Sequence, residues 1–174
     1  MKAILSADLK WGIGKDGKLL QRVPEDMKRF AAMTTGKVVV MGRETFESLP
    51  GQQPLKDRLN IVLSKSAEYD CEGLVVCRSV EELFLKLVGY AAGDVFVIGG
   101  ESVYTQLLPY CSEAYVTLFE KEFDADRHFP DMDSLSNWFL VSRSETHSYK
   151  DLNFCYVKYV NVETKKTEEE PKDD

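Results

Sequence analysis

Residues 94–109 read DVFVIGGESVYTQLLP. The β-branched and aromatic run over 94–98 predicts a strand that is buried on both faces, as strands of parallel sheets are. Gly99 and Gly100 turn the chain, and the segment 102–108 predicts a short helix that ends at Pro109. A buried strand followed directly by a helix is typical of an α/β sheet.

The same alternation of strand and helix occurs upstream of this stretch. We expect buried strands at residues 2–7, 37–41, 58–64 and 73–77, and helices that begin at Pro24, at Gly42-Arg43 and after Ser79. The segment from 9 to 23 carries Gly12, Gly14 and Gly17 and is interpreted as a long, hinge-like loop.

The pattern changes downstream of Pro109. Three further strands are expected at 114–121, 138–147 and 154–162, with no helices between them. Consecutive strands without crossover helices pair in an antiparallel manner. We therefore predict an α/β fold with one mixed, mostly parallel sheet flanked by helices. Residues 1–162 form its single domain, and the charged segment 163–174 is expected to be a disordered tail.

Composition excludes several classes of protein. The 174 residues carry a net charge of −7, and no basic cluster is present that could grip a nucleic-acid backbone. No apolar run is long enough for a membrane helix. The four cysteines form no C-x-x-C pair, so we interpret them as reduced packing residues and expect a cytoplasmic protein that is a monomer and binds neither nucleic acid nor membrane.

Three strand ends carry residues suited to phosphate groups. They are Gly42-Arg43, Ser64-Lys65 and Gly99-Gly100. In open α/β sheets, ligands bind beyond the carboxyl ends of the strands, so these residues favour a phosphorylated dinucleotide. Each has an alternative explanation, because a glycine after a strand is usually a simple turn and a lone cation is usually a surface charge.

Asp26 is the one acid singled out by its position. It shares a helix face with Phe30 and Met33 and therefore borders the apolar stripe of that helix. An acid in a first helical turn also complements the helix dipole without any further role. Arg58 is similarly open to two interpretations, as a surface cation or as a clamp for a carboxylate.

The chain resembles the dihydrofolate reductase family along nearly its whole length. The resemblance is carried by ordered motifs, which are Ala3 to Ala7 (AILSA), Trp11 to Gly14 (WGIG), Val23 to Phe30 (VPEDMKRF), Val39 to Ser48 (VVMGRETFES), Arg58 to Ser64 (RLNIVLS), Val97 to Gly100 (VIGG) and His128 to Pro130 (HFP). It implies an eight-stranded sheet and an oxidoreductase that reduces 7,8-dihydrofolate to 5,6,7,8-tetrahydrofolate with NADPH, supplies one-carbon metabolism and is inhibited by antifolates.

The resemblance also implies roles for individual residues. Asp26, with Thr117 behind it, matches the acid that holds the pterin and polarises it while a water protonates N5. The residues implied to bind substrate are Leu5, Met27, Phe30, Leu49, Arg58 and Ile98. Those implied to bind the cofactor are Ala7, Ile13, Gly42, Arg43, Thr45, Ser64, Lys65, Gly99, Gly100 and Tyr104, with a cis peptide between the two consecutive glycines.

Two departures from the family pattern and two alternatives accompany this assignment. Leu20-Gln21 stands where many members have Pro-Trp, and Ser102 stands where some have an arginine. The alternatives are a reductase of the same fold that acts on a pyrimidine intermediate of riboflavin synthesis, and a dinucleotide-binding module without activity. The combination of Asp26, Thr117 and Arg58 argues against both.

Overall fold

The computed structural model describes residues 1–167. Part of the predicted tail therefore lies outside the described residues, namely 168–174. The first residues of the predicted tail contact the folded body. The Glu163 N–H donates to Asn161 Oδ1 at 2.9 Å, and the Lys165 N–H donates to the Pro109 carbonyl at 2.9 Å. The domain boundary at residue 162 stays a prediction.

The described chain contains sixteen named elements. The strands are β1 Lys2–Ala7, β2 Gly12–Lys15, β3 Lys18–Leu19, β4 Val38–Gly42, β5 Leu59–Leu63, β6 Leu74–Cys77, β7 Val95–Gly99, β8 Glu113–Phe119, β9 Arg127–His128, β10 Trp138–Arg143, β11 His147–Tyr149 and β12 Leu152–Asn161. The helices are α1 Pro24–Thr34, α2 Arg43–Glu47, α3 Val80–Leu87 and α4 Glu101–Leu107.

The main sheet has the strand order β10-β12-β8-β1-β7-β4-β5-β6, and β11 pairs with β12 beside this path. All pairs from β8 through β6 are parallel, whereas β12 pairs with β8, β10 and β11 in an antiparallel manner. This confirms the predicted α/β class and the eight-stranded, mostly parallel sheet with an antiparallel edge.

The central strands are buried as their β-branched runs predict. Val39, Val40 and Met41 of β4 are each 0% exposed, and Val97 of β7 is 0% exposed. These strands pack against helices on both faces of the sheet, so both of their side-chain rows enter apolar clusters. Ser79 caps α3 as predicted, with its hydroxyl accepting from the Glu82 N–H at 3.1 Å.

The prediction of a long loop over residues 9–23 was wrong. This segment contains β2 and β3, which form a second, three-stranded sheet with β9. These strands are too short to show an alternating pattern, and they are held by backbone pairing, such as Gly14 opposite Arg127. The local sequence could not indicate a partner that lies so far along the chain.

The single strand predicted over residues 138–147 is divided in two. β10 ends at Arg143 after a register shift between Leu140 and Ser142, and β11 begins at His147. At the break, the Ser144 hydroxyl accepts from the Tyr156 N–H at 2.9 Å, so a side chain replaces one backbone partner there.

No helix within residues 1–167 has the length and apolar character needed to cross a bilayer.

Candidate active site

A cleft of ≈ 1090 Å³ opens at the carboxyl ends of β4 and β7. Its walls come from α1, α2, α4, the β2–β3 hairpin and the side chains around Leu5 of β1. A cleft at the ends of parallel strands is where an α/β sheet binds its ligands. Its volume suits a small-molecule substrate and a cofactor together.

Asp26 lines this cleft from the first turn of α1 and is half-buried. Thr117 of β8 is 2% exposed, and its Oγ1 donates a hydrogen bond of 2.5 Å to Asp26 Oδ1. Burial raises the pKa of Asp26, and the adjacent Glu25 carboxylate raises it further, whereas the Thr117 hydrogen bond and the Arg29 guanidinium lower it. The net direction is upward because burial is the largest effect.

Apolar side chains line the cleft beside Asp26. They are Leu5, Met27, Phe30, Leu49 and Ile98, all of which were expected to bind substrate. Three of them, Phe30, Leu49 and Ile98, pack against the buried cluster that contains Val39 and Phe46. The arrangement places the Asp26 carboxylate beside an apolar surface, which suits a flat heterocycle with hydrogen-bond donors on one edge.

Arg58, the residue before β5, lines the same cleft. Its guanidinium carbon lies 5.8 Å from the centroid of the Phe30 ring, and its Nη2 donates to Thr35 Oγ1 at 3.2 Å. Among the described residues, no group accepts from its buried Nε. A partly buried guanidinium with an unused donor is suited to binding a carboxylate.

The other part of the cleft is formed by glycine backbone. Gly42 ends β4, and Gly99 and Gly100 are joined by a cis peptide bond, as the resemblance implied. A Cβ atom added at Gly42 would lie 3.1 Å from Val103 Cγ2, and one added at Gly100 would lie 3.3 Å from Thr45 Oγ1. A side chain at either position would therefore make a tight contact with a neighbouring residue, and both glycines line the cleft.

Tyr104 and Ile13 line this glycine-rich part of the cleft. Tyr104 is 3% exposed, and its hydroxyl donates to the Ile4 carbonyl at 2.7 Å. Burial raises the pKa of Tyr104, so its hydroxyl is neutral and fixed in one direction.

Charged side chains surround the same region. Arg43 lines the cleft, and its Nη1 lies 3.1 Å from Glu47 Oε2 one helical turn later. Arg127 of β9 also lines the cleft, and its Nη2 lies 3.8 Å from Glu44 Oε2 of α2. This contact joins the small sheet to α2 beside the cleft.

Four of the predicted site residues do not line the cleft. Thr117 lies behind Asp26, and Ala7 is 0% exposed within β1. The Ser64 hydroxyl accepts from the Ala67 N–H at 3.2 Å, and Lys65 is exposed. The structure brings together the other predicted residues, namely Leu5, Ile13, Asp26, Met27, Phe30, Gly42, Arg43, Thr45, Leu49, Arg58, Ile98, Gly99, Gly100 and Tyr104.

Sequence reasoning missed a group of charged residues in the cleft wall. They are Lys15, Asp16, Lys18, Arg22, Arg29, Glu44 and Arg127. The Asp16-Gly17 pair was a usable signal, because Asp-Gly favours the two-residue turn of a β-hairpin. No local signal existed for Arg127, which reaches the cleft only because β9 pairs with β2. Gln21, in the position of the usual tryptophan, donates to the Arg22 carbonyl at 3.5 Å.

Comparison with known proteins identifies the family. The family model described as dihydrofolate reductase matches residues 1–161. The chain is 39% identical over 142 residues to the dihydrofolate reductase of Bacillus subtilis (strain 168), covering 82% of each protein. It is 36% identical over 150 residues to the type 3 dihydrofolate reductase of Salmonella typhimurium, covering 86% of this chain and 89% of that one.

A solved structure supports the same assignment. Dihydrofolate reductase from Enterococcus faecalis, in complex with NADP(H) and RAB-propyl, is similar with a TM-score of 0.80 and 34% identity, over 92% of this chain and 95% of that one. Fold, cleft and motifs thus agree with the sequence matches. This chain belongs to the dihydrofolate reductase family.

Proposed function

We propose that this chain reduces 7,8-dihydrofolate to 5,6,7,8-tetrahydrofolate with NADPH as the hydride donor. The observation that carries the proposal is a half-buried carboxylate, Asp26, fixed by Thr117 in the wall of a cleft whose other part is glycine backbone. An acid in an apolar wall binds a ring edge, and open backbone admits a nucleotide cofactor. The names of the relatives support the same activity.

The glycine-rich part of the cleft fits a nicotinamide dinucleotide. Gly42, Gly99 and Gly100 line the cleft, so a ligand there would lie against backbone that carries no side chain. Arg43 and Arg127 add positive charge there. The residues proposed to hold the phosphates are Gly42, Arg43, Thr45, Gly99 and Gly100, with Ser64 and Lys65 assisting Arg43 at the 2′-phosphate.

The nicotinamide end is assigned to Ala7, Ile13 and Tyr104. Ile13 and Tyr104 line the cleft, and Ala7 follows the strand residues Ile4 and Leu5, which also line it. The Tyr104 hydroxyl is committed to the Ile4 carbonyl, so the phenol ring presents only its apolar surface. When bound, NADPH supplies the hydride.

The pterin end is assigned to Asp26 and the apolar side chains around it. The carboxylate accepts from N3 and the 2-amino group of the pterin, since both are donors and Asp26 is an acceptor. Thr117 occupies one lone pair of Oδ1 and so fixes the orientation of the carboxylate. Leu5, Met27, Phe30, Leu49 and Ile98 exclude water from the ring, which strengthens that charge-assisted contact.

Asp26 also influences the protonation of the pterin at N5. Burial raises its pKa, which brings its titration closer to neutral pH than that of an exposed aspartate. By holding the edge of the pterin, it favours the protonated form of the ring at N5, and a water molecule delivers the proton there. Arg58 is assigned to the carboxylate of the glutamate tail, through the donors that Thr35 does not use.

The test follows the absorbance of NADPH in the presence of the purified protein. We expect it to fall on addition of dihydrofolate and the fall to stop on addition of a diaminopyrimidine antifolate. Cofactor binding without turnover would indicate the dinucleotide-binding module, and turnover only with an aminopyrimidine ribitol substrate would indicate the riboflavin-pathway reductase. An antifolate that binds but does not compete with dihydrofolate would place the substrate elsewhere.

The same proposal includes a monomeric protein of the cytoplasm that binds antifolates and neither nucleic acid nor membrane. The acidic net charge of −7 supports the expectation that the protein does not bind nucleic acid. Light scattering of the purified protein with and without NADPH tests the monomeric state, and a mass of about twice 19.8 kDa would contradict it.

A further inference from the structure

A group of polar side chains lies behind Asp26, on the side of α1 that packs on the antiparallel edge of the sheet. Tyr156 of β12 stands directly opposite Thr117 of β8 in the register of the two strands. Residues directly opposite in an antiparallel pair project from the same face of the sheet. Tyr156 is therefore the cross-strand neighbour of the threonine that binds Asp26.

Arg29 connects Tyr156 to the helix that carries Asp26. Its guanidinium carbon lies 4.1 Å from the centroid of the Tyr156 ring, which is the distance of a stacked cation–π contact. Arg29 is three residues beyond Asp26, so the two side chains share one face of α1. The ring thus holds a long, flexible cation next to the carboxylate. Arg29 also lines the cleft.

The other polar groups of this region comprise a carboxylate, two neutral hydroxyls and one further cation. Glu25 precedes it, and its Oε1 lies 3.2 Å from Nδ1 of His147 on β11. Thr117 faces Asp26 from β8 as a neutral donor. Burial and the nearby carboxylates of Glu25 and Asp26 raise the pKa of Tyr156 to about 12, so its hydroxyl is neutral as well. Arg22 is a further cation in the cleft wall.

We infer that Arg29, held in place by the ring of Tyr156, is a positioning residue that keeps a compensating positive charge beside Asp26 and so sets the pH at which this acid changes protonation state. The inference rests on the proposed function only in naming Asp26 as the acid that the reaction uses.

Three observations support a role beyond packing. The Arg29 guanidinium lowers the pKa of Asp26, whereas burial, the largest effect, raises it. Removal of the Arg29 charge is therefore expected to raise the pKa of Asp26 further. The stacking partner lies on the strand next to the one that binds Asp26, so the cation and the acid are fixed by the same pair of strands. Arg29 contacts the Tyr156 ring and also lines the cleft, so a substrate bound in the cleft would meet its charge.

The experiment is a carbon-13 NMR titration of the Asp26 side-chain carboxyl, assigned by its loss in Asp26→Asn. In Arg29→Met, which keeps a flexible, unbranched side chain but removes the charge, the midpoint is expected to move to higher pH than in the wild type. Arg29→Lys restores the charge and should return the midpoint toward the wild type. Tyr156→Leu frees Arg29 and should move the midpoint upward, whereas Tyr156→Phe keeps the ring and should leave it unchanged.

Lys28→Met is the matched control, because Lys28 is the exposed neighbour of Arg29 on α1. The inference is overturned if Arg29→Met titrates like the wild type, or if Lys28→Met shifts the midpoint as much. Should Arg29→Met fail to fold, Arg29→Gln gives the same comparison. The titration needs no turnover, so a shift in a protein that does not reduce dihydrofolate would refute the proposed function alone, and active variants without a shift would refute this inference alone.

Discussion

Thr117 and Asp26, 91 positions apart in the sequence, are joined by a hydrogen bond of 2.5 Å between Thr117 Oγ1 and Asp26 Oδ1. The bond ties the first turn of α1 to the middle of β8, at the point where the parallel strands meet the antiparallel edge. Asp26 is thereby kept in one orientation in the cleft wall, and its carboxylate remains half-buried in spite of the cost of burying a charge.

Replacing Asp26 by Asn tests the assignment of the acid. Asn keeps the shape of the side chain but cannot carry the charge, and a lost acid–base group typically lowers the rate by roughly 10²- to 10⁴-fold. We expect a loss of that size in single-turnover hydride transfer at neutral pH, with an unchanged circular dichroism spectrum. Wild-type turnover by the Asn variant would remove Asp26 from the mechanism.

The same substitution should change how stability depends on pH. Because burial raises the pKa of Asp26 in the folded protein, the folded state still binds a proton at pH values where the unfolded chain has released it. The free energy of unfolding therefore falls as the pH rises from about 3.9, the ordinary value for aspartate, through the raised pKa of the folded state.

Urea unfolding at a series of pH values measures this effect. We expect Asp26→Asn to lack this decrease and to be at least as stable as the wild type at neutral pH. Asp151→Asn is the control, because Asp151 is exposed. A steeper decrease in Asp26→Asn than in the wild type would show that the ionised carboxylate stabilises the fold.

Arg58 is predicted to act on the substrate tail alone. A hydrogen bond to a charged group contributes about 1.5–3 kcal/mol, so Arg58→Gln should raise the KM for dihydrofolate by roughly 10- to 100-fold. The KM for a dihydropterin without the glutamate tail should not change. Lys56→Gln is the matched control, since Lys56 is exposed and close in sequence. Equal losses for both substrates would mean that Arg58 supports the fold of the cleft instead.

The structure separates two residues that the sequence treats alike. Arg43 and Lys65 were both predicted near the 2′-phosphate, but Arg43 lines the cleft and Lys65 is exposed outside it. We therefore expect Arg43→Ala to reduce the preference for NADPH over NADH, measured as the ratio of kcat/KM values, more strongly than Lys65→Ala does. Equal losses for the two cofactors in Arg43→Ala would exclude a contact with the 2′-phosphate.

The sequence predicted those elements whose stability is local. β1 was predicted over its observed bounds, because its apolar residues follow one another directly in the sequence. α1 begins at Pro24 as expected, because a first-turn proline and a glycine after the last turn mark the ends of the helix locally. The cleft was predicted from residues at strand ends, and most of them line it. The parallel sheet brings strand ends together whatever the loops do.

The small sheet and its charges could not be predicted in this way. The Asp16 N–H donates to Asp126 Oδ2 at 3.0 Å across 110 positions, and Gly14 pairs with Arg127 over a similar interval. Short strands carry little pattern, and the pairing that selects them is known only from the fold. Arg29 and Arg127 were missed because each contacts a residue far away in the sequence. Arg29 contacts the Tyr156 ring, and Arg127 contacts Glu44.

The contact between Arg127 and Glu44 leads to a final prediction. Glu44 lies in α2 next to Arg43, where its carboxylate would repel the phosphates of a bound dinucleotide. Arg127 Nη2 lies 3.8 Å from Glu44 Oε2 and offsets that charge. Arg127→Ala should therefore raise the KM for NADPH, and Glu44→Gln should lower it.

Both side chains are more than half exposed, so each change is expected to be small, less than about 5-fold, and to shrink as salt is added. The double variant decides whether the two residues act together. If Arg127 acts by neutralising Glu44, Arg127→Ala will have less effect on the KM for NADPH in the Glu44→Gln background than in the wild type. Additive effects would mean instead that Arg127 meets the cofactor independently of Glu44.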